Sequence, residues 1–327
     1  MKLERNRAER RSKKGAQILY KGIPFLIFAA LAAGFLLGAP QAAAVSSIAQ
    51  ADKCVVTVVK RRFYFPGALA GYIGKTNSVL STAFTEADFT YTGSYAFTDA
   101  GNKNFQLDFL SSGTFTPKKK VTIDIFLLGG GSGGRASDAG TGRGGAGGSG
   151  GRTKTHLSIT INANQSYPIV IGAGGTSNNS GGLTSFDTTY TANGGTVGPN
   201  YQTGGTGGSG GGGAQGGNGG SNGSDGTNGD YTKGSGQGTT TRAFGETSGT
   251  LYAGGGGGGG GQYSYSALPG SGGAGGGASG GARQGGNGGS CAANTGGGGG
   301  GGGGKSSTTY PGGTGGSGRC TVRNARG

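Results

Sequence analysis

Chemistry needs a reactive side chain with a partner at the right spacing, and this sequence offers few. Its 327 residues hold a single His, 13 acidic residues, three Cys and no Trp. A Ser-His-Asp arrangement needs a His as base, so it could form only around His156, at the start of a strand pattern where a solvated side chain is the default. Glu86, Asp88 and Asp124 fall on strands or loops without an evident partner. No carboxylate pair stands out for glycoside cleavage. Cys54, Cys291 and Cys320 are too far apart for a zinc-type pair. They read as three inert thiols, with one disulfide and a free thiol as the other option in an oxidising compartment. Residues 299–306 match G-x-x-x-x-G-K-S, with Lys305 and Ser306 in the phosphate-binding places. That motif works only between a strand and a helix N-terminus. Here a pure glycine run precedes it and a Ser/Thr-rich turn follows, so the match carries no nucleotide site. The chain reads as non-enzymatic, with no catalytic residue, cofactor or metal ligand.

Aromatic residues set among glycines are the better functional candidates. They are Phe186, Tyr190, Tyr201, Tyr231, Phe244, Tyr252, Tyr263, Tyr265 and Tyr310. Such side chains give large contact area at small entropy cost and suit recognition surfaces. The competing reading is that they cap the glycine segments or pack on a β base. Tyr263 and Tyr265, between glycine runs, look most like a loop tip; with Phe244 and Tyr310 they form the candidate ligand-binding set.

The elements that must position these residues follow from composition. Glycine accounts for 86 residues, about 26%, against a usual ~7%. Apolar residues make up 31%, against a usual ~45–50%. Only part of the chain can therefore build an ordinary core, and an ordinary soluble α/β enzyme is not expected. Collagen is excluded too, because 8 Pro and no strict G-X-Y period fall short of its needs. The formal charge is +15; a net +6 sits in residues 1–22 and the rest is spread thinly. That is no nucleic-acid stripe, and no nucleic-acid partner is expected.

The chain divides into three parts: a leader over 1–51, a β-rich part over 52–128 and a glycine-rich part over 129–327. In the leader, basic residues precede an uncharged apolar run at 23–37, and small residues around 41–51 suit signal cleavage. A membrane anchor over residues 22–40 is the alternative. Either reading makes an N-terminal apolar helix and implies export. Residues 54–59, 105–109 and 121–127 carry period-2 or β-branched strand patterns. Strands return near 155–171 and at 320–324. Between 176 and 318 the only Val, Ile, Leu, Met or Phe residues are Leu183, Phe186, Val197, Phe244, Leu251 and Leu268. No oil-drop core can form there.

Two states are open to such a segment. Glycine loses the most backbone entropy on ordering, which favours a disordered tether. The other state is a packed array of polyglycine II helices, extended threefold rods rising ~3.1 Å per residue. Without Cβ atoms, neighbouring backbones can exchange hydrogen bonds directly. Non-glycine clusters at 239–244, 262–265 and 306–311 break the runs at intervals, as turns between rods would. A terminal strand also has a purpose only if the chain returns to the β part. Both features favour the ordered array.

Residues 121–131 (VTIDIFLLGGG), 167–175 (YPIVIGAGG), 192–195 (ANGG), 238–261 and 312–324 resemble the glycine-rich domain family of bacteriophage tail-fibre, adhesin and bacterial surface proteins. The resemblance covers about residues 85–327. It implies a mainly β fold, with a small antiparallel β-sandwich-like base and polyglycine II helices packed onto it. It also implies recognition of a cell-surface protein or glycan through loops at the tip of the array. A surface or virion coat without a specific ligand is the alternative. The expected location is secreted or cell-surface, with a virion tail as the alternative. Oligomeric state is left open.

Overall fold

In a computed structural model, the described residues are 83–215, 217, 219, 242–263 and 268–326, with the backbone of 48–50 and 53–55. Two units divide the chain, Met1–Ser78 and Val79–Gly327. In the first, β1 (Ile48–Gln50) and β2 (Lys53–Val55) pair as an antiparallel hairpin. The expected apolar leader helix and the strand beyond Val55 lie outside the described residues. Among those described, no helix is long and apolar enough to cross a membrane.

The second unit is mainly β, with two five-stranded antiparallel sheets and almost no helix. The strands are β3 (Phe89–Tyr91), β4 (Tyr95–Gly101), β5 (Asn104–Phe109), β6 (Gly113–Pro117), β7 (Val121–Leu128) and β8 (Thr153–Ile161). Further along are β9 (Tyr167–Val170), β10 (Thr184–Phe186), β11 (Tyr190–Ala192) and β12 (Arg319–Asn324). One sheet has the order β11-β10-β9-β6-β3 and the other β4-β5-β12-β7-β8. The last strand thus lies at the centre of its sheet, between β5 and β7. The split expected at residues 128/129 therefore runs through one hydrogen-bonded unit.

Alternation places one residue in two on the inner face of each sheet. Phe105, Leu107 and Phe109 from β5 and Ile123, Ile125 and Leu127 from β7 join Phe115, Ile169 and Phe186 from the other sheet in one apolar core. Phe109 packs against Tyr91 and Phe115, with ring centroids 4.6 and 5.3 Å away. The β10–β11 hairpin, which the sequence reading did not include, packs two aromatics of the glycine-rich part onto the β base. Phe186 is fully buried, and Tyr190 packs against the same cluster. The signal is short, a three-residue strand on each side of a turn through Asp187 with φ +56°. At the β4–β5 turn, Asn102 and Lys103 both have positive φ, 49° and 65°, the two-residue geometry that matches strand twist.

The polar character of the closing strand has a structural reason. Cys320 and Val322 point into the core, while Arg319, Thr321 and Arg323 lie on the opposite face. There Arg319 pairs with Asp108 at 2.6 Å, and Thr321 Oγ1 donates to the same carboxylate at 2.6 Å. Arg323 Nε donates to Asp124 at 3.2 Å. The segment from Arg242 to Ala253 covers this face. Phe244 and Tyr252 pack on Phe126, Leu128 and Ala253 in a second small core, and Glu246 pairs with Arg323.

Beyond the sheets the glycine segments are ordered and extended. β7 runs directly into 129–135, β9 into 172–176 and β11 into 193–198, while 144–151 leads into β8 and 311–318 into β12. Two further runs, 253–261 and 296–304, have no strand at either end. In 296–304 successive N–H groups donate to three different neighbours in turn, and the pattern repeats every three residues. Gly298, Gly301 and Gly304 donate to Gly254, Gly257 and Gly260; Gly299 and Gly302 to Ser132 and Arg135; Gly300 and Gly303 to Gly289 and Gly286. Its carbonyls accept, with the same repeat, from 145–151, from 278–281 and from 313–316. This run is therefore enclosed by other backbone segments on all sides. A Cβ on Gly300 would lie 1.9 Å from the Ser279 carbonyl oxygen, and one on Gly301 1.9 Å from that of Gly145. Glycine is required there by close approach, since backbone cannot yield to a clash of that size.

Candidate functional site

The rods carry one set of loops away from the sheets. The run 296–304 starts beside Leu128 and Gly151 at the sheet end. It ends at Gly304, whose N–H donates to the Gly260 carbonyl, away from the sheets. There the turns around 136–143, 261–263, 282–286 and 304–311 meet. Asp138 and Arg143 form an isolated antiparallel bridge. The Asp138 carboxylate accepts from the Thr141 hydroxyl at 2.5 Å and the Gly140 N–H at 3.0 Å. Those hydrogen bonds, led by the one from Thr141, hold its pKa below the ordinary carboxylate value.

Tyr263 stands on this assembly. The Gln262 N–H donates to the Gly142 carbonyl at 2.9 Å, and the Gln262 side-chain oxygen accepts from the Ser306 N–H. The Tyr263 hydroxyl shares a hydrogen bond with the Ser306 hydroxyl. Gly142 has φ +62°, and a Cβ there would meet Gln262, Tyr263 and Ser306 within 3.1 Å. The ring is thus tied at its hydroxyl end and remains 74% exposed. Tyr310 lies in the same distal region. Its carbonyl accepts from the Ser137 N–H and its N–H donates to the Ser137 hydroxyl oxygen, and its ring lies against Gly285. Tyr263 and Tyr310 are therefore brought to one end of the molecule.

Phe244 parts from them. Phe244 sits on the outer face of the second sheet, under the Arg323 guanidinium at 3.9 Å and beside Phe126 at 6.0 Å. Tyr252 is held there too, its hydroxyl accepting from Arg319 at 3.0 Å. Tyr265 and Tyr231 lie outside the described residues. The sequence reading missed the supporting turn. Asp138-Ala139-Gly140-Thr141-Gly142 carries the Asp/Gly turn chemistry that could have pointed to it.

His156 lies well inside β8 and is not simply solvated. Its ring is 4.9 Å from that of Tyr190, and burial, with Lys154 nearby, pushes its pKa below the ordinary value. The N–H groups of Gly299 to Gly304, which a phosphate loop would need, donate to neighbouring rods instead. Cys291 and Cys320 are free thiols; burial raises Cys291 to about 11 and Cys320 well above its ordinary value. Among the described residues, no group of three or more metal-ligating side chains gathers. The distal assembly has the makings of a contact surface: an exposed, hydroxyl-anchored ring among turns that offer amides, hydroxyls and one carboxylate.

No curated protein and no solved structure matches the chain. The family model described as "Glycine-rich domain" matches residues 110–325, about two-thirds of the chain, and with the strands and rods it spans now in view, the chain belongs to the glycine-rich domain family.

Proposed function

We propose that this is a non-enzymatic surface or fibre protein whose glycine rods form a polyglycine II array on a β-sandwich base and present a receptor-binding tip. The threefold repeat of hydrogen bonds around residues 296–304 supports the array reading. The core shared by the two sheets supports the sandwich.

One observation carries the recognition reading. The turns bearing Tyr263 and Tyr310 lie beyond the glycine segments, at the end of this unit away from the sheets, and the Tyr263 ring there is 74% exposed while its hydroxyl is held by Ser306. An exposed ring held on a rigid support is suited to display. The partner is a cell-surface protein or glycan, met through the exposed Tyr263 ring and the polar turns around it. The protein acts outside the cell, secreted, on the cell surface or in a virion tail, and takes neither cofactor nor nucleic acid.

The test is binding of the full chain to target cells, compared with Tyr263→Ala, Tyr265→Ala and the double variant. A binding module loses at least tenfold in affinity while keeping its thermal midpoint. Unchanged binding in the double variant overturns the tip reading and leaves a coat component without a specific ligand.

A further inference from the structure

The enclosed and the outer rods differ in sequence in a way that follows a period of three. The enclosed runs 254–261 and 296–304 are glycine throughout. The outer run 311–318 reads Pro-Gly-Gly-Thr-Gly-Gly-Ser-Gly, and 268–274 reads Leu-Pro-Gly-Ser-Gly-Gly-Ala. Ala173 and Thr176, Asn193 and Thr196, and Asn287 and Ser290 keep the same spacing on three more outer rods. These third-position residues are exposed, apart from half-buried Ser317, whereas the glycines between them are mostly buried or half-buried. A threefold rod turns every third residue to the same side, so each outer rod presents one row of Cβ-bearing residues to solvent.

The row stands where a further rod would pack. Inside the array, a Cβ on Gly280 would lie 2.0 Å from a neighbouring carbonyl oxygen, one on Gly288 2.0 Å, and one on Gly313 1.8 Å. An outward Cβ imposes the same clash on any rod approaching from outside. The outward amides would otherwise invite one. The N–H groups of Ser279, Asn287 and Ser290 have no partner among the described residues, and Pro311, in the same row position of its rod, has no N–H to offer.

We infer that these third-position side chains are caps that end the array laterally and keep it from adding a glycine rod from a second copy of the chain. The logic is that of edge strands, where side chains and prolines block pairing that free N–H and C=O groups would template. Here a Cβ blocks approach wherever a neighbouring carbonyl would stand as close as it does at Gly280 or Gly313; Ser132, Ala146 and Ser149 are buried among the rods only where the spacing admits a side chain.

The experiment uses the full chain and its mass by sedimentation equilibrium, with wild type as reference. A triple variant, Ser279→Gly, Asn287→Gly and Ser290→Gly, bares one face. A double variant, Asn287→Gly and Ser290→Gly, bares one rod and decides the matter if the triple fails to fold. Alanine at the same three positions keeps every Cβ and removes only the polar groups. The glycine variants are expected to reach about twice the wild-type mass or more as concentration rises, and the alanine variant to keep the wild-type mass. Wild-type mass in folded glycine variants overturns the inference. So does equal association of the alanine variant, because polarity and not the Cβ would then be the barrier.

Discussion

Leu107 and Gly300 are both buried, for opposite reasons. Leu107 brings apolar area out of water into a core shared by two sheets, a gain of roughly 25 cal/mol per Å². Gly300 brings no side chain at all. Its place in the rods rests on hydrogen bonds to and from neighbouring backbone, each worth only about 1 kcal/mol net, and on the absence of a Cβ. The sheets tolerate variation in shape at constant volume. The enclosed rods tolerate no added atom. One region is specified by what its side chains fill and the other by what its residues lack.

The sharpest test of that contrast is one methyl group. Gly300→Ala puts a Cβ 1.9 Å from the Ser279 carbonyl, so rods must separate and several hydrogen bonds must break. The loss exceeds ~3 kcal/mol, the upper range for overpacking, and amide exchange across 296–304 rises to match. Ser279→Ala, on an exposed outer position, stays within about 0.5 kcal/mol. If Gly300→Ala melts like wild type, close approach does not govern the array.

The next effect probes the sheets. Phe109 is fully buried against Tyr91 and Phe115, and Phe109→Ala should cost about 3–5 kcal/mol. Because β7, β8 and β12 run into the rods, exchange should quicken in both regions together. Rods that keep wild-type protection while the sheets lose theirs would make the two regions separate folding units.

Between the regions lies the ionic face of β12, where the third effect falls. The Asp124 carboxylate is 1% exposed and accepts from Arg323 and from the Ser158 N–H at a β8 bulge. The bulge pairs Ile123 with Ile159 but Ile125 with His156, leaving an extra residue on β8. Asp124→Ala strands a mostly buried guanidinium and an amide donor, at about 3 kcal/mol; Glu246 keeps Arg323 from being wholly unpaired. Adding Arg323→Met should restore part of the loss. A double variant no more stable than the single one would mean that the bulge, and not the stranded charge, dominates.

How far all this was legible differs between the regions. Strict alternation at 105–109 and 121–127 led to β5 and β7, because an amphipathic strand writes its burial into every second residue. The β10–β11 hairpin escaped notice because a three-residue strand such as Thr184–Phe186 is too short for a period to register. The leader and Tyr265 lie outside the described residues. In the rods neither the amount of glycine nor its spacing settles burial: 296–304 and 311–318 are both glycine-rich, yet one is enclosed and the other carries exposed Pro311 and Thr314, and 144–151 keeps Ala146 and Ser149 in the same period while lying wholly buried. The recognition candidates divided for a related reason. Phe244 and Tyr263 both stand in short non-glycine clusters of the glycine-rich part, and only tertiary placement puts one under Arg323 and the other at the tip.

The smallest effect concerns the ionisable group nearest the junction of the two sheets. The pKa of His156 is lowered by burial and by Lys154 from an ordinary value of 6.5. The unfolded chain therefore binds a proton at His156 more readily than the folded one. Stability from this group is fully present above pH ~6.5 and declines as pH falls through the window down to the folded-state pKa. Asp88 and Asp138, both lowered from 3.8, act in the same direction but only at more acid pH, so the windows separate. Urea midpoints between pH 7 and pH 5 should drift downward in wild type and stay flatter in His156→Gln, with the two curves meeting again in slope below pH 4. Because His156 contacts Tyr190 of the first sheet from a strand of the second, exchange near β8 and β11 should respond before exchange in the rods. An equal drift in His156→Gln would mean that His156 does not carry the acid sensitivity.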